Sequence, residues 1–228
     1  MTSTATQFSP HGPTAGALAG RSPRAQLLHA LNQPLTGLQC SMEVALATSR
    51  TPAQYVRVLR EGLELTERMR ALVEAMREVT DVEEEKPEKP ESIALKTVLR
   101  ETMDDLKPVA EIKNVCMRLD GPETSAVAMS AGRTMASALF RLLESALSLA
   151  ARDHELLVEA GSAPAEAWFR VRWRAAHPSS VLSRPELGLM VARASLERAG
   201  AVWQRERSET LETVTVRLPS VSAIRPHP

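Results

Sequence analysis

The sequence predicts an α+β fold in two parts: a long helical hairpin that pairs with a second copy into a dimeric four-helix bundle, then a small α/β sandwich. Three observations carry this expectation. Apolar residues recur at heptad spacing through residues 23–82. Aromatic residues make up only 3% of the chain, which argues against an all-β fold. Beyond residue 93, helical and alternating segments interleave, as in a layer of helices on a mixed sheet.

Residues 1–22 are rich in Ser, Thr, Gly and Pro, lack periodicity and read as a disordered tail. In the first helix, Leu28, Leu35 and Met42 repeat every seven residues, with Leu31, Leu38 and Ala45 three positions further on. Thr51 and Pro52 break the chain and restart it as N-cap and first helical residue. The second helix carries Tyr55, Val58, Gly62, Leu65, Met69, Leu72, Met76 and Val79 in steps of three and four. A hairpin alone leaves its seam half covered, so a homodimer completes it. Residues 83–92 are charged, hold two prolines and read as a linker.

The second part spans 93–220, followed by a tail at 221–228. Helices are expected at 93–107, 129–151 and 187–198, the last closed by Gly200. Strands are expected at 115–119, 155–160, 167–173, 201–204 and 213–218, with a hairpin turn at 161–166.

Twenty-eight basic and 28 acidic side chains balance to zero, which argues against nucleic acid as a main partner. No run approaches the roughly 18 apolar residues of a membrane span, and no signal peptide is visible. Cys40 and Cys116 form neither a disulfide framework nor a CxxC metal site, and a cytoplasmic setting fits. His177-Pro178 and the C-terminal Arg225-Pro226-His227-Pro228 read as loop and tail, not as metal ligands.

One helix turn carries the chemistry. His29 follows the seam residue Leu28 and is expected to point outward, with Gln33 one turn on and Thr36, Gly37 and Cys40 beyond. A neutral imidazole can attack phosphorus and hold a phosphoryl group. Pro34 lacks the N–H that would bond the Ala30 carbonyl, so a bend just past the histidine is expected. For Cys40 the spacing favours a buried or inert small residue over a reactive thiol. The mixed charges Arg57, Arg60, Glu61, Glu64, Glu67, Arg68 and Arg70 read as a solvated helix surface.

His29, Leu31, Asn32, Gln33, Pro34 and Leu35 match the H-box of sensor histidine kinases, His-Glu-Leu-Asn-Asn/Gln-Pro-Leu, at every position but Ala30. The chain resembles that family over residues 24–219: a dimerisation and histidine-phosphotransfer hairpin, a linker, and a sandwich resembling the histidine-kinase ATP-binding domain. The resemblance implies that His29 is the phospho-acceptor and that Gln33 orients water for dephosphorylation. It implies that Asn32, Thr36, Gly37 and Cys40 lie on the face where a response-regulator receiver domain docks.

The departures concern the nucleotide. Ala30 stands where kinases place an acidic proton acceptor, and general-base help is typically worth about 10²–10⁴-fold. Ser145 replaces the Mg²⁺-binding Asn of the N-box. Residues 174–180 lack the carboxylate and glycines of the Asp-x-Gly-x-Gly turn, and no adenine contact replaces them. The second glycine box is reduced to Gly188, with Glu186 placing a negative charge where phosphate would lie. The lid is only about ten residues long. The leading expectation is a phosphorelay protein that exchanges a phosphoryl group between His29 and receiver aspartates. It would need no cofactor of its own, with ATP binding lost and Mg²⁺ supplied by the receiver. The alternatives are a divergent active kinase using Ser145, His154 or Glu155, a pseudokinase scaffold or phosphatase, and a hairpin scaffold without phosphoryl chemistry.

Overall fold

The computed structural model describes residues 22–84, 86, 89, 91–122, 127–130, 132–163, 165–176 and 182–220. The expected tails (but for Ser22), residues 85, 87, 88 and 90 of the linker, and His177 to Ser180 lie outside the described residues.

Two helices open the chain, α1 (Pro23–Ala47) and α2 (Pro52–Glu84). Ser22 accepts the Ala25 amide at 3.3 Å, and Pro23 occupies the first turn, where a missing N–H leaves nothing unpaired. α2 begins on a reciprocal cap: Thr51 Oγ1 accepts from the Gln54 amide at 3.4 Å, and Gln54 Oε1 accepts from the Thr51 amide at 2.9 Å. The two helices approach closely at Gly62, where a Cβ would lie 3.3 Å from Leu38 Cδ1.

The α2 seam follows the expected spacing, with Gly62, Leu72 and Val79 buried, although Tyr55 at its start is exposed. Within one chain only part of the expected α1 seam is covered. Leu27, Ala30, Pro34 and Ala45 are buried and Leu31 and Leu38 partly so, whereas Leu28, Leu35 and Met42 are about half exposed. The physical reason is that α1 packs on two helices of its own chain rather than one. Its buried stripe therefore turns about one residue toward Leu27 and Ala30, leaving the Leu28 row open. α2 also runs to Glu84, two residues into the charged run, and the Arg198 guanidinium donates to the Glu83 carbonyl at its end. A cation at a helix C-terminus offsets the unpaired carbonyls there.

The second part runs β1 (Glu91–Ala94), α3 (Leu95–Lys113), β2 (Cys116–Asp120), β3 (Val127–Ser130), α4 (Gly132–Leu149), β4 (Glu155–Ser162), β5 (Glu166–Arg174), α5 (Arg184–Arg198), β6 (Val202–Arg207) and β7 (Leu211–Pro219). Five strands form a mixed sheet in the order β2-β4-β5-β7-β6, with β2 parallel to β4 and the remaining pairs antiparallel. β1 and β3 form a separate antiparallel pair. Ile93 and Met129 were expected in helices and lie in these two strands. Local helical propensity there yields to pairing between segments more than thirty residues apart, which no local pattern encodes.

α3, α4 and α5 pack on one face of the five-stranded sheet, where Phe169, Val171 and Trp173 of β5 meet Leu99, Leu139, Leu142 and Leu196 in one cluster. α5 ends as expected at Gly200, whose φ of 86° suits glycine, with the Ala201 amide bonding back to the Leu196 carbonyl at 2.9 Å.

α5 is tied to the sheet at its N-terminal end by a buried ionic cluster. Glu186 accepts from Arg205 at 2.7 Å and 2.9 Å and from Arg207 at 2.9 Å. Both arginines also pair with the buried Glu212. Burial alone would raise the Glu186 carboxyl, but the hydrogen bonds and charges of Arg205 and Arg207 outweigh it and hold the group below its ordinary value of 4.5. Burial likewise acts to lower the Arg205 guanidinium, and its bonds to Glu186 and Glu212 raise it instead.

Truncating Phe169 to Ala should cost about 3–5 kcal/mol, read from denaturant unfolding, because the ring is fully buried in the core. Glu186→Gln should lower stability at pH 7. A carboxyl depressed in the folded state stabilises it above pH 4.5 and loses that contribution as pH falls through the folded value. The deficit of Glu186→Gln relative to the parent should therefore shrink in thermal melts below pH 4.5, and a deficit independent of pH would contradict the cluster.

Candidate functional site

α1 places His29, Asn32, Gln33, Thr36 and Cys40 on one face, with Gly37 at its edge toward α2, where a Cβ would lie 3.8 Å from Leu65 Cδ1, and all six are exposed. Intervals of three and four residues stack them along one side of the helix. Thr36 Oγ1 donates to the Asn32 carbonyl at 2.9 Å, an ordinary helix back-bond that leaves both side chains on the open face. Cys40, expected as a buried or inert residue, is an exposed free thiol on this same face. The structure thus brings the sequence-derived site residues together along about three turns of one helix. His29 points outward as expected, and its neighbour Leu28 is half exposed. α1 continues through Pro34 without interruption.

Ala30 lies on the other side. It is buried in an apolar cluster that joins Leu27 of α1 and Leu72, Ala75 and Val79 of α2 to Leu187, Met190, Val191 and Ala194 of α5. A carboxylate at position 30 would be desolvated in this cluster without a partner, at a cost of several kcal/mol. The residue that follows the histidine is therefore an interface residue here, and its methyl is what the packing accommodates. The α5 members of this cluster were not singled out from the sequence. Their signal was present, since Leu187, Met190, Val191 and Ala194 are spaced three, one and three apart beside a second apolar set of Leu189, Ala192 and Leu196.

Ion pairs add to the junction: Arg141 of α4 pairs with Glu78 of α2, and Arg24 of α1 approaches Glu83 at 3.7 Å. Both pairs are more than a third exposed, so each contributes about 1 kcal/mol or less. Leu27, Leu72 and Val79 are fully or almost fully buried, worth roughly 1.5–3 kcal/mol each, so apolar packing dominates.

Of the residues that the resemblance assigns to nucleotide, Ser145 lies on α4 and Glu186 and Gly188 on α5. Ser145 is buried on α4, and a Cβ built on Gly188 would overlap its Oγ, so the two helices touch at this point. The glycine serves the close approach of one helix to the other. Glu186 does not project toward a phosphate position, as the sequence suggested, because Arg205 and Arg207 hold it against the sheet. Neither Trp173 nor Arg193 fills the space between α4, α5 and α2. Trp173 lies fully buried in the core, and Arg193 pairs with Glu197 along α5 at 2.7 Å. An open groove of about 430 Å³ remains where α4 and α5 face α2. Glu74, Glu78 and Glu144 line it together with Arg141, Arg184 and Phe140.

His154 and Glu155 are engaged elsewhere. His154 Nδ1 lies 2.7 Å from the Arg152 carbonyl and Nε2 lies 3.3 Å from Arg174, while Glu155 pairs with Arg118 at 3.3 Å. Among the described residues there is no cluster of three or more His, Cys, Asp or Glu able to hold a metal ion, and no helix long and apolar enough to cross a membrane.

No protein-family model matches the chain, and no curated protein sequence matches it. Solved structures do. The histidine kinase AdeS of Acinetobacter baumannii aligns with a TM-score of 0.56 at 16% identity, covering 85% of this chain and 98% of that one. A histidine kinase from Burkholderia phymatum aligns at 0.50 and 16% identity, covering 86% and 95%. The catalytic domain of the histidine kinase ThkA aligns at 0.51 and 13% identity, covering 57% of this chain and 95% of its own. The chain has a histidine-kinase-like core: two long N-terminal helices followed by an α/β unit with the ATP-binding-type fold.

Proposed function

We propose that this chain is a dimeric histidine phosphotransferase of two-component signalling, which accepts and donates a phosphoryl group on His29. The carrying observation is that His29 and Gln33 stand open on α1 while Glu186 of the α/β unit beside them is held against the sheet by Arg205 and Arg207. A phosphorylated receiver aspartate is the natural donor. A ring nitrogen of neutral His29 attacks phosphorus, the P–O bond to the aspartate breaks, and the carboxylate leaves. The second ring nitrogen keeps its proton, so the new phosphoimidazolium is internally paired and atoms and charge balance. No base is required at position 30 for this step.

Two features support a reaction without nucleotide: the inward Glu186 and the burial of Ala30. The Mg²⁺ needed for aspartyl phosphate chemistry would come with the receiver. Gln33, one turn from His29, would orient water for hydrolysis of the receiver's aspartyl phosphate, a reaction separate from the transfer. Dimerisation is supported by exposed apolar side chains on both helices, Leu28, Leu35, Met42 and Leu46 of α1 and Val56, Leu59 and Leu63 of α2. A second copy would cover these rows as a four-helix bundle.

The test is incubation of the full chain with a panel of receiver domains phosphorylated by acetyl phosphate. Acid-labile phosphate should appear on the chain with at least one receiver and vanish in His29→Ala. In parallel, calorimetric titration with an ATP analogue and Mg²⁺ to millimolar concentration should show no binding. Label on His29 from ATP alone would establish the active-kinase reading instead.

A further inference from the structure

The cluster that buries Ala30 also bears on how His29 is aimed. Pro34 carries no N–H, so the Ala30 carbonyl has no i+4 partner in its own helix. The α1 segment before Pro34, about eleven residues long, is joined to the rest by a ladder with a missing rung. Helices of that length are marginal by themselves, so something outside the ladder must hold this one. Gly37 and Gly62 fix the middle of the hairpin, at Leu65 and Leu38. The His29 turn is fixed elsewhere: Leu27, fully buried, and Ala30 are seated among Leu72, Ala75 and Val79 of α2 and Leu187, Met190, Val191 and Ala194 of α5.

The geometry points to α5 as the positioning element for His29. Its Leu187 and Met190 side chains complete the seat that fixes the rotation of the first α1 turns, and thereby the direction of the imidazole. α5 can serve this way because its other end of travel is blocked. Glu186 is bound by Arg205 and Arg207, Gly188 rests on Ser145, and Leu189, Ala192 and Leu196 are buried in the core of the α/β unit. A helix immobilised on one side is a rigid template for whatever packs on its other side. Leu187 and Met190 are positioning residues that touch neither His29 chemistry nor a partner. The consequence for rate rests on the phosphotransfer reading, whereas the seat itself does not.

The experiment compares the full chain with Leu187→Ala/Met190→Ala and with the conservative Met190→Leu, using two readouts. Hydrogen–deuterium exchange of residues 26–33 should speed up at least tenfold in the double variant, while residues 36–45 keep the parent rate. Phosphoryl transfer at saturating phosphorylated receiver should fall at least tenfold with KM within twofold, and Met190→Leu should stay within twofold of the parent in both readouts. If the double variant loses its circular dichroism signature, Met190→Ala takes its place with the same signs and smaller effects. Unchanged exchange over 26–33 in a folded variant overturns the seat. Faster exchange with an unchanged transfer rate overturns its role for His29. A parent that transfers nothing refutes the phosphotransfer reading, and exchange alone then decides the seat.

Discussion

α5 is buried on two sides, and the junction between the hairpin and the α/β unit depends on that. One apolar stripe, Leu189, Ala192 and Leu196, belongs to the core over the sheet, and the other, Leu187, Met190, Val191 and Ala194, belongs to the cluster with the hairpin. A helix of fifteen residues with two apolar sides cannot satisfy both in isolation, so it joins the two layers. The buried Glu186–Arg205–Glu212–Arg207 cluster then sets where along the sheet α5 begins. Such clusters contribute modestly to net stability, since desolvation offsets most of the attraction, but they penalise any arrangement that parts the charges.

This junction connects the apparent losses of the site to one another. Ala30 in place of an acid, Gly188 without its companion glycines, and Glu186 in a phosphate-facing segment look like separate defects in a row of letters. In three dimensions each has a packing role on α5: Ala30 fits beneath it, Gly188 lets it touch Ser145, and Glu186 anchors its start. The same contacts that bring α5 against α4 bring it against the helix that carries His29. Ala30, Gly188 and Glu186 are thus tied together by one packing arrangement around α5.

The candidate site was legible in the sequence to an unusual degree because it is local. His29, Asn32, Gln33, Thr36, Gly37 and Cys40 lie within twelve residues of one helix, and the helical repeat alone places them on one face, with Gly37 at its edge. The hairpin was legible for the same reason: the Thr51–Gln54 cap and the α2 spacing are short-range signals. What was misjudged involved partners distant in the chain. Leu27 and Ala30 are buried within one chain because α5, more than 150 residues away, packs there, and the Leu28 row stays open. Ile93 and Met129 became strand residues because each segment is the other's partner.

The sequence by itself determined the helical hairpin, the caps at Thr51 and Gly200, and which residues share the His29 face, since each follows from periodicity and nearest-neighbour chemistry. The tertiary structure decided which side of α1 is covered, where Glu186 points, and why position 30 carries a methyl. Those outcomes depend on burial against α5 and on charges brought together from α5, β6 and β7, and burial is a property of the assembled chain, not of any segment of it.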